Sequence, residues 1–152
     1  CGLSEKISVW LWKIGEVFMM KIVVAIDSLK GSLTSIQAGE AIEKGIKKVD
    51  LEAEVVIKPL ADGGEGCLDA QTAMGKAPIG VAKLAKKYGK LVLGFSGAVT
   101  KGATACNEAG IDAYFPIVRS AVSLEDAMKK KNAQENLIDT EEQVFRVIKE
   151  IK

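Results

Sequence analysis

Lys21-Ile22-Val23-Val24-Ala25-Ile26, running into Asp27-Ser28-Leu29-Lys30-Gly31-Ser32, is the stretch from which the architecture of this chain can be read. A short apolar run rich in β-branched side chains is the pattern of a strand covered on both faces in a parallel sheet. Ligands of α/β sheets gather outside the carboxyl ends of strands, which is where Asp27 and Lys30 fall. Thr34-Ser35-Ile36-Gln37 then reads as a capping box, in which hydroxyl and amide each satisfy an orphan backbone N–H. Ala38, Ala41, Ile42, Gly45, Ile46 and Val49 follow at helical spacing and predict a helix facing the sheet. Glu54-Val55-Val56-Ile57-Lys58 is the second strand. A β-helix-β unit of this length predicts a right-handed crossover, with both strands parallel and their carboxyl ends on one edge.

The second strand delivers the chain into Pro59-Leu60-Ala61-Asp62-Gly63-Gly64-Glu65-Gly66-Cys67-Leu68-Asp69-Ala70-Gln71-Thr72-Ala73-Met74-Gly75-Lys76-Ala77-Pro78-Ile79-Gly80. Glycine lets backbone N–H groups turn toward an anion, while Asp and Glu supply metal or hydroxyl contacts. The same dipeptides also make plain turns, so the residues alone leave a site and a connection both open. The stretch is not a Walker A loop, because Gly75-Lys76 precedes Ala77 rather than Ser or Thr. The G-x-G-x-x-G spacing of a dinucleotide fingerprint is also absent.

Downstream, Pro78 suits a first helical turn, and Ile79, Val81, Ala82, Leu84 and Ala85 carry an apolar face to a stop at Gly89. Leu91 to Ser96 predicts a third strand and Gly97 to Gly102 a flexible turn. A short helix over 103–109 stops at Gly110. Ile111 to Ile117 is a fourth strand, shortened by Pro116. Ser123-Leu124-Glu125-Asp126 and Thr140-Glu141-Glu142-Gln143 each predict a helix start, the second helix burying Val144, Val147, Ile148 and Ile151. Upstream, Ile7, Trp10, Leu11, Ile14, Val17 and Phe18 recur at helical spacing and predict an amphipathic helix within residues 1–19. This segment reads either as an extension ahead of a start at Met20 or as a helix packed on the domain. Lys13 and Glu16 break its apolar run, against a signal peptide. The pattern as a whole predicts an α/β fold over residues 20–152: a single three-layer sandwich with a mostly parallel, Rossmann-like sheet of about four strands flanked by helices.

Composition narrows the chemistry. At 152 residues the chain is one domain with room for a core. A net charge of +1 supplies no global field for nucleic acid or anionic membrane, and Lys47-Lys48 and Lys129-Lys130-Lys131 read as solvated helix faces. The chain has no histidine, which removes Ser-His-Asp and Cys-His catalysis and histidine-ligated metals. Cys1, Cys67 and Cys106 are odd in number and irregularly spaced, against a disulfide framework or zinc, and fit a reducing, cytoplasmic compartment. No apolar run approaches the roughly 20 residues that span a bilayer.

Met20 to Thr34 and Pro59 to Gly66 resemble the amino-terminal motifs of the bacterial glycerate kinase family, of glycerate 2-kinase type. Lys76 to Gly89, Glu108 to Ile117 and Ser123 to Met128 resemble its carboxy-terminal segment. The family carries a long middle region between these ends, folded largely as a second domain, and a second Gly-Glu-Gly after it. Here Gly64-Glu65-Gly66 runs straight into Cys67-Leu68-Asp69-Ala70-Gln71-Thr72, so the chain reads as the two outer segments fused across their shared motif. Ile26, Leu29 and Cys67 depart from the family pattern, which usually has Pro, Phe and a basic or small polar residue there.

The resemblance implies transfer of the ATP γ-phosphoryl group to a hydroxyl of D-glycerate with Mg²⁺, in a cleft between two domains. It implies Asp27 and Lys30 as catalytic residues. It implies Ser28, Asp62, Gly63, Gly64, Glu65, Gly66, Asp69, Gln71, Thr72 and Lys76 as substrate- or nucleotide-binding, with Asp62 and Glu65 on Mg²⁺. Three functions follow as expectations: a kinase left catalytically incomplete by the missing domain, an anion- or nucleotide-binding domain without catalysis, or a self-associating assembly unit.

Overall fold

Helices alternate with parallel strand pairs in the computed structural model, which describes residues 12–14, 17–26, 29, 31–60, 67–68 and 77–151. Strands β1 (Trp12–Ile14) and β2 (Val17–Met19) lead into β3 (Lys21–Ile26), helix α1 (Ser35–Lys47) and β4 (Glu54–Pro59). Next come β5 (Cys67–Leu68), α2 (Ala77–Lys87), β6 (Leu93–Ser96) and β7 (Ala98–Val99). A 3-10 turn (Lys101–Thr104), α3 (Ala105–Glu108), β8 (Ala113–Pro116), α4 (Leu124–Met128) and α5 (Lys130–Glu150) complete the order. Among the described residues no helix is long and apolar enough to cross a membrane.

β3 and β4 pair in parallel, from Lys21 opposite Glu54 to Ile26 opposite Pro59. Side chains alternate between the faces of a strand, so Ile22, Val24, Ile26, Val55 and Ile57 share one face and pack into the main core. The other face carries Lys21, paired with Glu54 at 2.6 Å, and Val23, which is 53% exposed. The apolar run predicts cover on both faces. Among the described residues only one face is covered, and the run hides this because valines occupy both faces. α1 starts as expected, with Gln37 N–H donating to Thr34 Oγ1 and Thr34 N–H donating to Gln37 Oε1, each at 3.2 Å. Its buried face is Ala38, Gly39, Ala41, Ile42, Gly45 and Ile46.

The connection from β3 to α1 is tight. Leu29 and Leu33 form an isolated antiparallel bridge: Leu29 N–H donates to Leu33 O at 2.8 Å and Leu33 N–H to Leu29 O at 3.1 Å. Gly31 sits between them at φ 79°, the left-handed region, and a Cβ there would overlap Met128 Cε of α4. Leu33 is buried in the main core and Leu29 packs against it.

Where two helix starts are predicted near the carboxyl end, the first is found and the second is not. Ser123 caps α4, accepting from Asp126 N–H at 3.1 Å. Thr140, by contrast, lies inside the continuous helix α5. A capping residue needs extended backbone, and the good helix formers ahead of Thr140 carry the helix through it. The buried stripe consequently runs through Ala133, Leu137, Glu141, Phe145 and Ile148, while Val147 and Ile151 of the expected stripe are exposed.

α5 packs along α1. A Cβ at Gly45 would stand 2.6 Å from Ile138 O and 2.7 Å from Glu141 Cβ, so the absence of a side chain sets how closely the helices approach. Lys48 of α1 reaches Glu142 at 3.0 Å, and Lys149 Nζ donates to Val49 O at 2.9 Å.

β6 and β8 are likewise parallel, Leu93 opposite Ala113 through Ser96 opposite Pro116. The α/β class and the parallel pairing follow the expectation. The strands hydrogen-bond as separate pairs, β3 with β4 and β6 with β8, rather than as one four-stranded ladder. Side chains make the junction instead: Leu93, Phe95 and Ile117 join the core of α1, α5, β3 and β4. The opposite face of the β6–β8 pair presents Tyr114 to a second core of Ile79, Ala82, Ala103, Cys106 and Ile111.

The local stops of this second core are as predicted. Gly89 (φ 62°) and Gly110 (φ 114°) follow α2 and α3, with Lys90 N–H bonding Ala85 O and Ile111 N–H bonding Cys106 O. The third strand begins at Leu93 rather than Leu91, and the expected flexible turn contains β7 and the start of the 3-10 turn.

The expected amino-terminal helix is also corrected. β1 and β2 pair antiparallel, with Ile14 opposite Val17. Trp, Ile, Val and Phe favour strands. Residues 1–11 lie outside the described residues.

Replacing Gly45 with Val should lower stability by about 1–3 kcal/mol, because Ile138 O is backbone and cannot move aside cheaply. Gly80→Ala, where nothing lies within 4 Å of the added Cβ, should raise it by up to about 1 kcal/mol. Urea denaturation of both variants checks the contrast. Gly31→Ala should cost about 1–2 kcal/mol through its left-handed backbone, with Gly31→Asn costing less in the same measurement.

Candidate functional site

The two motif segments leave the structure from one sheet edge. Ile26 and Pro59 are register partners, and Leu60 N–H donates to Ile26 O at 2.8 Å. Asp27 follows Ile26 directly and Asp62 follows Leu60 by two residues. The bridged Leu29–Leu33 turn flanks Lys30 on both sides. Parallel pairing is what brings the two carboxyl ends together, since antiparallel partners would point them apart.

The rest of the Gly-rich stretch is held at two further points. Cys67 and Leu68, expected within a loop, form β5 and pair in parallel with Ala98 and Val99 of β7. β7 is itself tied to the end of β6, where the buried Ser96 Oγ donates to Ala98 O at 2.8 Å. Then α2 begins at Ala77, directly after Lys76, and is fastened by Ile79 and Ala82 in the second core. The glycine-rich stretch is therefore tethered through β4, β5 and α2. A two-residue strand has no sequence period, and Ser96 gives no signal beyond its place at a strand end.

Asp27, Ser28, Lys30, Asp62, Gly63, Gly64, Glu65, Gly66, Asp69, Gln71, Thr72 and Lys76 themselves lie outside the described residues. The structure thus gives the frame that carries these side chains. α1 and α2 start beside the motif segments with no acidic residue in the first turn. No acidic side chain within their first turns offsets the helix dipoles, a field that favours anions, although at α1 the Thr34 cap already takes the Gln37 N–H. α4 reaches the Leu29–Leu33 turn through Met128. Within α4 the Asp126 carboxyl accepts from Lys129 Nζ at 2.6 Å and from Ser123 Oγ at 2.9 Å, and these bonds hold it below the ordinary carboxylate range. Among the described residues no cluster of His, Cys, Asp and Glu has the makings of a metal site.

Away from this edge, Lys86 pairs with Asp112, whose Oδ2 also accepts from Val92 N–H at 2.7 Å, tying α2 to the starts of β6 and β8. Glu142 is held below its usual range by hydrogen bonds from Arg146 and Lys48. Glu141 behaves oppositely: buried in the main core, its carboxyl is pushed up to about 8 by desolvation. In the sequence it looks like a member of a capping box, with nothing to mark it as buried.

Comparison with known proteins bears on the whole span. The profile of the glycerate kinase family matches this chain in two segments, residues 22–70 and 64–149. The segments overlap over 64–70, which contains Gly64-Glu65-Gly66. The chain is 44% identical over 99 residues to a glycerate kinase of Bacillus subtilis, covering 64% of this chain and 26% of that protein. It is 37% identical over 121 residues to a glycerate kinase of Haemophilus influenzae, covering 76% of this chain and 30% of the relative. Against the glycerate 2-kinase of Escherichia coli the figures are 38% over 95 residues, 60% of this chain and 25% of that protein. The chain thus spans less than a third of the length of these relatives. With both matched segments covering β3 through α5, this chain belongs to the glycerate kinase family.

Proposed function

We propose that residues 20–152 correspond to the first domain of a glycerate kinase, built to hold phosphate and hydroxy-acid groups at the shared edge of β3 and β4, and that without a second wall it turns over substrate negligibly. The observation that carries this reading is the pairing of Ile26 with Pro59, from which both motif segments depart side by side. Phosphoryl transfer is mainly positioning and cancellation of charge on phosphate oxygens. In this reading Lys30 meets phosphate or carboxylate, Asp27 faces the reacting hydroxyl, and the amides of Gly63, Gly64 and Gly66 meet anionic oxygens. Ser28, Asp69, Gln71, Thr72 and Lys76 complete the rim. Asp62 and Glu65 are hard oxygen donors of the type that suits Mg²⁺, which would neutralise phosphate charge when bound with ATP. The buried Cys106 is compatible with a reducing, cytoplasmic setting.

The two-segment match supports the reading of catalytic incompleteness. The relatives are more than three times as long as the matched span, and a site assembled from two walls loses far more than half its rate when one is removed. Anion binding without catalysis is the second reading, favoured by the acid-free first turns of α1 and α2. Self-association is compatible with both, because Val147 and Ile151 on α5 leave apolar surface uncovered.

In a coupled assay with ATP, Mg²⁺ and D-glycerate, this chain should turn over below a few per cent of the Bacillus subtilis relative. Turnover near that of the relative, abolished by Lys30→Ala, would overturn the incomplete-site reading. Calorimetry with ATP, inorganic phosphate and glycerate should register binding to at least one of them, weakened about tenfold or more by Lys30→Ala. Silence toward all three removes the binding reading, and concentration-independent monomeric sedimentation removes self-association.

A further inference from the structure

α5 carries one ionisable side chain into the main core. Glu141 is 3% exposed, and its Oε2 has no hydrogen-bond partner among the described residues. It lies where α1 and α5 approach most tightly, its Cβ 2.7 Å from the place where a Cβ on Gly45 would stand. Apolar side chains of several elements build this core, and the neighbouring Thr140 Oγ1 is also buried without a hydrogen-bond partner among the described residues. α1 presents Ala41, Ile42 and Ile46; α5 presents Leu137, Ile138, Val144 and Phe145 one turn to either side. β3 and β4 turn Ile22, Val24, Ile26, Val55 and Ile57 to the same core, and β6 turns Leu93 and Phe95. Lys48, at the carboxyl cap of α1, is engaged by Glu142 at 3.0 Å and Asp139 at 3.6 Å.

We propose that the Glu141 carboxyl is a protonation-controlled latch on the α1–α5 crossing: as a neutral acid it is tolerated between the helices, and on ionising it loosens the crossing. An ionised carboxylate there finds no donor for its buried Oε2 among the described residues, so it requires water or separation of the helices. The neutral form loses only modest polar solvation. Burial without a compensating charge is also what raises the group to about 8 from its ordinary 4.5. A raised folded-state value fixes the sign. The contribution to stability is fully present below about pH 4.5 and is lost as pH climbs through about 8.

Urea denaturation of the full chain and of Glu141→Gln from about pH 5 to about pH 9 tests the latch, with hydrogen exchange followed in α1. The folded-to-unfolded ratio of the wild type should fall by on the order of a hundredfold more than that of Glu141→Gln over this range. Exchange protection of α1 amides, corrected for intrinsic rates, should fall at least about tenfold more in the wild type. Parallel pH profiles for the two proteins would overturn the proposal. If Glu141→Gln does not fold, the infrared carboxyl band of the wild type decides. A protonated band persisting above about pH 6 supports the latch, and complete ionisation by about pH 5.5 refutes it.

Discussion

The close approach of α1 to α5 at Gly45 is the constraint on which the remainder of this structure depends. No described ladder connects the β3–β4 pair to the β6–β8 pair, so backbone hydrogen bonding alone does not unite the two halves of the chain. The union is made by side chains. α1 lies on the β3–β4 pair, α5 lies on α1, and Leu93, Phe95 and Ile117 enter the same core from the second half. A residue with a side chain at position 45 would force the helices apart and open the junction between segments that the glycerate kinase family keeps far apart in sequence.

That junction bears directly on the candidate site. The motif segments are short tethers between elements that are each fastened independently: β3 and β4 by their ladder, β5 by β7, and α2 by the second core. Connections held at rigid ends commonly carry function, because the scaffold positions them. The overlap of the two family matches falls in the same place, around Gly64-Glu65-Gly66, between the end of β4 and the start of β5. Fusion at a glycine-rich connection leaves the flanking strands and helices intact, which is why two outer segments of a longer family can share a core here.

Legibility in the sequence followed the range of the interactions involved. The Thr34–Gln37 box, the Ser123 cap and the stops at Gly89 and Gly110 depend on residues a few positions apart, and the parallel β3–α1–β4 unit on consecutive elements, and they were readable. The Thr140 pattern misled because the same residues serve at a cap or within a helix, and the upstream segment decides between them. The helical spacing ahead of Met20 misled for a related reason: Ile14, Val17 and Phe18 fit two periods, and pairing between β1 and β2 chose the strand. For the site, residue identities and the common edge of the two strands were legible, whereas the anchoring of Cys67 and Leu68 against Ala98 and Val99 was not.

By itself the sequence determined family, α/β class and the start of α1, since each is written in local pattern or motif. Only the tertiary structure decided which face of β3 is bare at Val23, that the described strands meet as pairs, and that Glu141 stands buried with its Oε2 unpartnered among the described residues. These are properties of what lies across from a residue, and burial and desolvation depend on neighbours brought from distant positions, here from the opposite side of the shared Gly-Glu-Gly.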